Sequence, residues 1–137
     1  MVKLMMGLKG TGKTKTLIEK VNEAVTSEHG NVLCIEKGNK LRYDIDHKVR
    51  LISTDEFGLI DYDMFYGFLC GLIAGNYDIT AIFIDSVTKI CRSEDMQELE
   101  NFLKELQTFI QDKNIKIFMT VSSDTNNATE EIKKYFL

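Results

Sequence analysis

Gly7-Leu8-Lys9-Gly10-Thr11-Gly12-Lys13-Thr14 fits the pattern G-x-x-x-x-G-K-[ST] and lies between an apolar run, Val2–Met6, and a stretch of helical periodicity. Strand, glycine-rich turn and helix in that order decide the fold class, which reads as α/β. A turn of this kind binds phosphate, because glycine conformations turn successive backbone N–H groups toward a helix N-terminus whose dipole favours negative charge. Gly7, Gly10 and Gly12 supply those conformations, with Leu8, Lys9 and Thr11 between them and Lys15 just beyond. Lys13 is expected to reach the β- and γ-phosphates, and the Thr14 hydroxyl to complete the coordination of a Mg²⁺ on the same oxygens.

Ala81-Ile82-Phe83-Ile84-Asp85 is an apolar strand that ends in a carboxylate. This is the Walker B pattern, in which the acid supports Mg²⁺ while the strand stays buried on both faces. Asp85 and the Gly7–Thr14 loop both fall at carboxyl ends of strands, the edge on which open α/β sheets bind ligands. The expected cofactors are therefore ATP and Mg²⁺.

The 137 residues suffice for one domain, residues 1–137, with a substantial core. With 44% hydrophobic and 28% charged residues the chain has the composition of an ordinary soluble protein, and no apolar run approaches a membrane span. Val2–Met6 leads straight into the glycine loop and not to a small-residue cleavage site, so the expected compartment is the cytoplasm. Cys34, Cys70 and Cys91 lack C-x-x-C spacing and read as reduced thiols. A net charge of −4 gives nucleic acid no support from composition. His29 and His47 are isolated and read as no one's ligands.

Working outward from the loop, the pattern alternates strand and helix without a single proline. A helix over 13–27 places Leu17, Ile18, Val21 and Val25 on one face. Asn31–Glu36 reads as a strand and Val49–Ser53 as a shorter one. A helix over 62–75, the Asp85 strand, and an amphipathic helix over 94–112 follow, the last turning Met96, Leu99, Phe102, Leu103, Leu106 and Ile110 inward. Lys116–Ser122 is the final strand, and a short helix is expected over 128–137. The result is a three-layer, doubly wound, mostly parallel sheet of about five strands.

These motifs resemble the RecA-like branch of the P-loop NTPases, and also the short stand-alone ATPase-like proteins of bacteria. The resemblance implies that the catalytic glutamate stands at the end of the second strand, which is Glu36 here. Ser86 follows Asp85, so an Asp-Glu pair is absent. Glu36 has two readings: it orients the attacking water, or it caps the turn that begins at Lys37-Gly38-Asn39. The resemblance also implies that the last strand lies between the two nucleotide-binding strands, with Ser122 and Ser123 at its end as candidate γ-phosphate sensors. Guanine recognition would need N-K-x-D, and the nearest run, Asn39-Lys40-Leu41-Arg42, has arginine in place of the acid. ATP is therefore expected over GTP. Arg42, Arg50 and Arg92 are the only arginines, too few to brace two phosphates, so a small-molecule kinase is the minor reading. The main expectation is a slow ATP hydrolase with Lys13 and Glu36 in the reaction. The rival is a nucleotide-dependent binding module with little turnover.

Gly67, Gly71 and Gly75 recur every fourth residue, which suits either a dimer seam or, the reading preferred here, close packing on the sheet. Phe57, Tyr62, Phe65 and Tyr66 lie nearby and read as core at least as readily as contact surface. Lys89 and Arg92 follow the Asp85 strand, where they are either solvated charges or fingers on a neighbour's nucleotide in an oligomer. A homo-oligomer or an unidentified protein partner is left open.

Overall fold

The computed structural model describes residues 1–137. Strands β1 (Val2–Gly7), β2 (Asn31–Glu36), β3 (Arg50–Ser53), β4 (Ile79–Ile84) and β5 (Lys116–Ser122) form one all-parallel sheet in the order β1-β5-β4-β2-β3. The final strand thus lies between β1 and β4, as the resemblance implied. Three of these strands, β2, β4 and β5, are runs of buried and mainly apolar residues because helices cover both faces of the sheet. Helix α1 (Lys13–Ser27) covers one face and packs Leu17, Val21 and Ala24 against Val32, Cys34, Ala81, Phe83 and Phe118. On the other face, α2 (Tyr62–Ala74) and α4 (Met96–Ile110) bury Phe65, Leu69, Leu99, Leu103 and Leu106 with Leu4, Ile35, Ile84 and Met119. A short α3 (Val87–Ile90) and a short α5 (Glu130–Lys133) complete the chain. No helix is long and apolar enough to cross a membrane.

The winding fixes where a ligand can enter. The chain leaving β1 crosses one face and the chain leaving β4 crosses the other, so a crevice opens at the carboxyl ends of the strands. Register brings those ends level: Gly7 pairs with Ser122, and Ile84 pairs with both Ile35 and Met119.

Two expectations need correction. The tail is helical only over Glu130–Lys133, capped by Thr129, whose Oγ1 accepts from the Ile132 N–H at 3.1 Å. Beyond it the chain runs out along β1, where Leu4 N–H donates to the Tyr135 carbonyl at 2.9 Å and Leu4 bridges Phe136 in parallel. An exposed strand edge offers unpaired backbone groups, and pairing them outweighs another helical turn. The second correction concerns the glycine stripe, which does not pack on the sheet. Gly67 and Gly71 are exposed, and a Cβ at either would meet no atom within 4 Å. The sheet-facing side of α2 is instead Tyr62, Phe65, Leu69 and Ile73, while Phe57 stays 52% exposed. Helix α2 is apolar almost all round, so periodicity in its sequence does not say which side is buried.

Glycine in an exposed helix interior costs about 0.5–1 kcal/mol relative to alanine. Gly67→Ala and Gly71→Ala should therefore each raise the unfolding free energy by about that amount in urea titration. Loss of stability in either variant would contradict the exposed placement.

Candidate functional site

The glycine loop owes its shape to two left-handed residues, Gly10 (φ +85°) and Gly12 (φ +83°), where a side chain would be strained. Gly7 is required for a different reason, since a Cβ there would lie 2.7 Å from Thr11 Oγ1. Alternation of this kind builds a concave nest of backbone N–H groups. The nest opens onto α1, whose first turn has neither a side-chain cap nor an acid. By contrast Asp61 caps α2, Asp95 caps α4 and Thr129 caps α5. The N–H groups at the head of α1 therefore have no side-chain cap, an arrangement whose chemistry suits an anion.

Lys13, only 6% exposed, turns its ammonium back into the loop, donating to the Leu8 carbonyl at 2.8 Å and to Thr11 Oγ1 at 3.4 Å. Burial lowers its pKa below the usual lysine value; Asp85 opposes that shift and the charge of Lys89 adds to it. Lys9 and Lys15 stay exposed, and Leu8 is 57% exposed.

Asp85 stands opposite the start of α1. The Thr14 hydroxyl lies 3.4 Å from both Asp85 carboxylate oxygens, although 71 residues separate the two in sequence. Thr14 and Asp85 are thus brought together as a pair of oxygen donors. One hydroxyl and one carboxylate are too few for an all-protein metal cage, and no cluster of three acidic, histidine or cysteine ligands exists. They do suit Mg²⁺, which keeps several waters and takes its remaining ligands from phosphate.

Asp85 itself is held by a residue that the sequence analysis overlooked. Thr120, fully buried in β5, donates from Oγ1 to Asp85 Oδ1 at 2.8 Å and accepts the Ser86 N–H at 2.7 Å. Its signal was present: Thr120 is the lone polar residue within the buried run Ile117–Val121. Ser122 and Ser123 sit beside the glycine loop, Ser122 paired with Gly7 and the Ser123 N–H donating to the Gly7 carbonyl at 3.1 Å.

Glu36 ends β2 and is 5% exposed. Its Oε1 accepts the Lys40 N–H at 2.9 Å and its Oε2 the Leu41 N–H at 3.1 Å, so it caps the turn after β2. It also lines, with Lys37, Lys40, Asp55, Asp85, Ser86 and Lys89, a charged cleft of ≈300 Å³ at the carboxyl ends of β2 and β4. Burial raises the Glu36 pKa above the usual carboxylate value, against the two N–H donors, and the charge of Asp85 raises it further. A larger cleft of ≈590 Å³ lies at the opposite edge of the sheet, where Ile73, Tyr77, Ile79, Phe109 and Ile115 leave it apolar and no carboxylate, histidine or cysteine lines it. Cys34 and Cys91 are buried thiols with pKa values pushed up to about 12.

No protein-family model matches the sequence, and no curated protein matches it.

Thr120→Val removes a buried hydroxyl, takes the side-chain partner from the Ser86 N–H and leaves Asp85 only its 3.4 Å contacts with Thr14, which should cost about 1–3 kcal/mol in denaturant unfolding. An unchanged midpoint would show that the hydroxyl bridge carries no weight. Glu36 gives a pH signature. Because its folded pKa is raised above the ordinary 4.5, its stabilising contribution is complete below that value and is lost as pH rises through the folded pKa. The stability of the wild type relative to Glu36→Gln should therefore fall as pH rises above 4.5. A flat or rising difference across that range would contradict the raised pKa.

Proposed function

We propose that the chain is an ATP- and Mg²⁺-binding protein of the P-loop NTPase type, RecA-like in arrangement, that hydrolyses ATP slowly. The observation that carries this reading is the uncapped head of α1 behind a left-handed glycine nest, with Lys13 inside the nest and Thr14 facing Asp85. Residues Gly7–Lys15 would hold the phosphates, with Lys13 exchanging the Leu8 carbonyl for phosphate oxygen. Thr14 and Asp85 would hold the Mg²⁺ side. Bound Mg²⁺ would neutralise charge on the phosphate oxygens. A second cleft of ≈420 Å³ on the outer side of the loop, bordered by Met5, Met6, Leu8, Thr11 and Asp124, leaves room for the rest of a nucleotide. In the hydrolytic reading Glu36, with its raised pKa and its place in the cleft beside Asp85, accepts a proton from the attacking water.

One observation favours a second reading, a nucleotide-dependent binding module. Both Glu36 oxygens already hold the turn formed by Lys40 and Leu41. A carboxylate with that duty can transmit occupancy of the site to the surface segment 38–49 without taking part in turnover.

Phosphate release from ATP, measured together with calorimetric binding, separates the two. Lys13→Ala should weaken ATP binding at least about a hundredfold, the loss of a desolvated charge-assisted contact. Unaltered affinity would remove the site. Glu36→Gln should keep ATP binding within about threefold and abolish phosphate release if the protein is a hydrolase; retained release assigns Glu36 to the turn alone.

A further inference from the structure

The outward side of α2 differs from that of the other long helices. Helix α4 turns Glu98, Asn101, Lys104 and Glu105 to solvent, and α1 turns Lys15, Glu19 and Glu23. Helix α2 has Asp63 as its one charged residue. Its solvent stripe is Met64, Gly67, Gly71 and Ala74, three or four residues apart and so on one side, opposite the buried Tyr62, Phe65, Leu69 and Ile73. Phe57 widens this strip, its ring 5.1 Å from that of Phe68. Ile60 stands before the head of the helix and Tyr77 after its foot. These are large apolar groups left in water: Phe57 is 52%, Ile60 49%, Met64 42% and Tyr77 98% exposed. Taken at about 200 Å² per large side chain, they amount to roughly 500 Å² on one copy, the size of patch that marks an interaction site.

The strip is complementary to itself. Bulky residues stand at its head, glycines at its middle, and Ala74 and Gly75 at its foot. Two copies of α2 running antiparallel about a two-fold axis at Gly67–Gly71 set Met64 of each copy over Ala74 of the other, with glycine where the backbones cross most closely. Charge selects the same direction. In the seam between α2 and α4, a cleft of ≈330 Å³ at the head is lined by Asp61, Asp63, Glu98 and Glu105 and by no cation. The cleft of ≈590 Å³ at the foot has Lys113 and no carboxylate, the lysine's partner Asp112 lying outside it. Antiparallel copies face acid with lysine, whereas parallel copies would face acid with acid.

We propose that the outer face of α2 is the contact of a symmetric dimer of this chain, with the two copies of α2 antiparallel and crossing at Gly67 and Gly71. Burying the strip on both copies removes about 1,000 Å² from water, the lower end of specific interfaces, so the dimer is reversible with a dissociation constant on the order of 10–100 µM. The contact lies on the face of the sheet away from α1 and leaves the glycine loop of each copy open.

The test is sedimentation equilibrium of the wild type, Met64→Glu, Gly71→Ala and Tyr43→Ala over about 5–500 µM. The wild type should pass from monomer to dimer across that range. Met64→Glu places a charge in the contact and should weaken association at least about tenfold. Gly71→Ala should weaken it about threefold or more, yet its monomer, unfolded by urea at about 1 µM, should be more stable than that of the wild type. Those opposite signs separate a role in the contact from a role in folding. Tyr43, 85% exposed on the α1 side of the sheet, is the control, and Tyr43→Ala should change the dissociation constant less than about twofold. A wild type that stays monomeric throughout would overturn the dimer and leave the face to a different protein. Association that survives both Met64→Glu and Gly71→Ala, or that Tyr43→Ala weakens as much as they do, would show that the copies meet elsewhere and would overturn it too.

Discussion

A single buried hydroxyl organises the working edge of this molecule. Thr120 sits in the middle of the sheet among Ile117, Phe118, Met119 and Val121, where an unpaired hydroxyl would cost about 1–3 kcal/mol. Both of its capacities are used, as donor to Asp85 and as acceptor from Ser86. The first contact fixes the carboxylate that faces Thr14. The second holds the strained residue through which the chain leaves β4 and enters α3. Because β5 lies between β1 and β4, the same strand also meets Gly7 through Ser122 and Ser123. The three parts of the site, loop, acid and turn, thus share one strand as their common support.

The surrounding architecture keeps that edge rigid. Two apolar layers, one under α1 and one under α2 and α4, close both faces of the sheet and leave only the strand ends for polar chemistry. Charge is distributed to match. A chain of net charge −4 collects Lys13, Lys37, Lys40 and Lys89 around this edge together with Glu36, Asp55 and Asp85, and buries two of them, Lys13 and Glu36, where Coulomb interactions are stronger than in water. The head of α1 adds its dipole, uncompensated by any acid in the first turn. The opposite edge of the sheet carries ordinary contacts beside its apolar cleft, such as the Lys116–Glu28 ion pair at 2.9 Å and the N-terminal ammonium on the Ile115 carbonyl at 3.0 Å.

Much of this is legible in the sequence, for identifiable reasons. Strands buried on both faces must be nearly continuous apolar runs, so Val2–Met6, Val32–Ile35 and Ala81–Ile84 announce themselves. Helix α4 alternates apolar and charged residues at helical spacing and is read residue by residue, with Leu99, Phe102, Leu103, Leu106 and Ile110 all buried. Helix α2 defeats the same method because it is apolar on nearly every side, and only packing shows that Gly67 and Gly71 face outward. The tail misleads because pairing with β1 is a contact across more than 130 residues, invisible to local propensity. The same holds for the site. The loop is local and therefore readable, whereas the bridge from Thr120 to Asp85 spans 35 residues and exists only once β5 has entered between its neighbours. Glu36 shows the limit most clearly: its position at the end of β2 is legible, but the bonds its two oxygens accept from Lys40 and Leu41 depend on how the following turn folds back.

The proposed site joins Gly7–Lys15 and Asp85 around one phosphate and one metal ion, and amide chemical shifts of ¹⁵N-labelled protein during titration with Mg·ATP would reveal it residue by residue. The largest shifts should cluster at Gly10–Lys15 and at Asp85–Ser86, saturate together, and be reduced at Asp85 when Mg²⁺ is withheld. Shifts confined to other parts of the chain, or none at saturating nucleotide, would rule the site out.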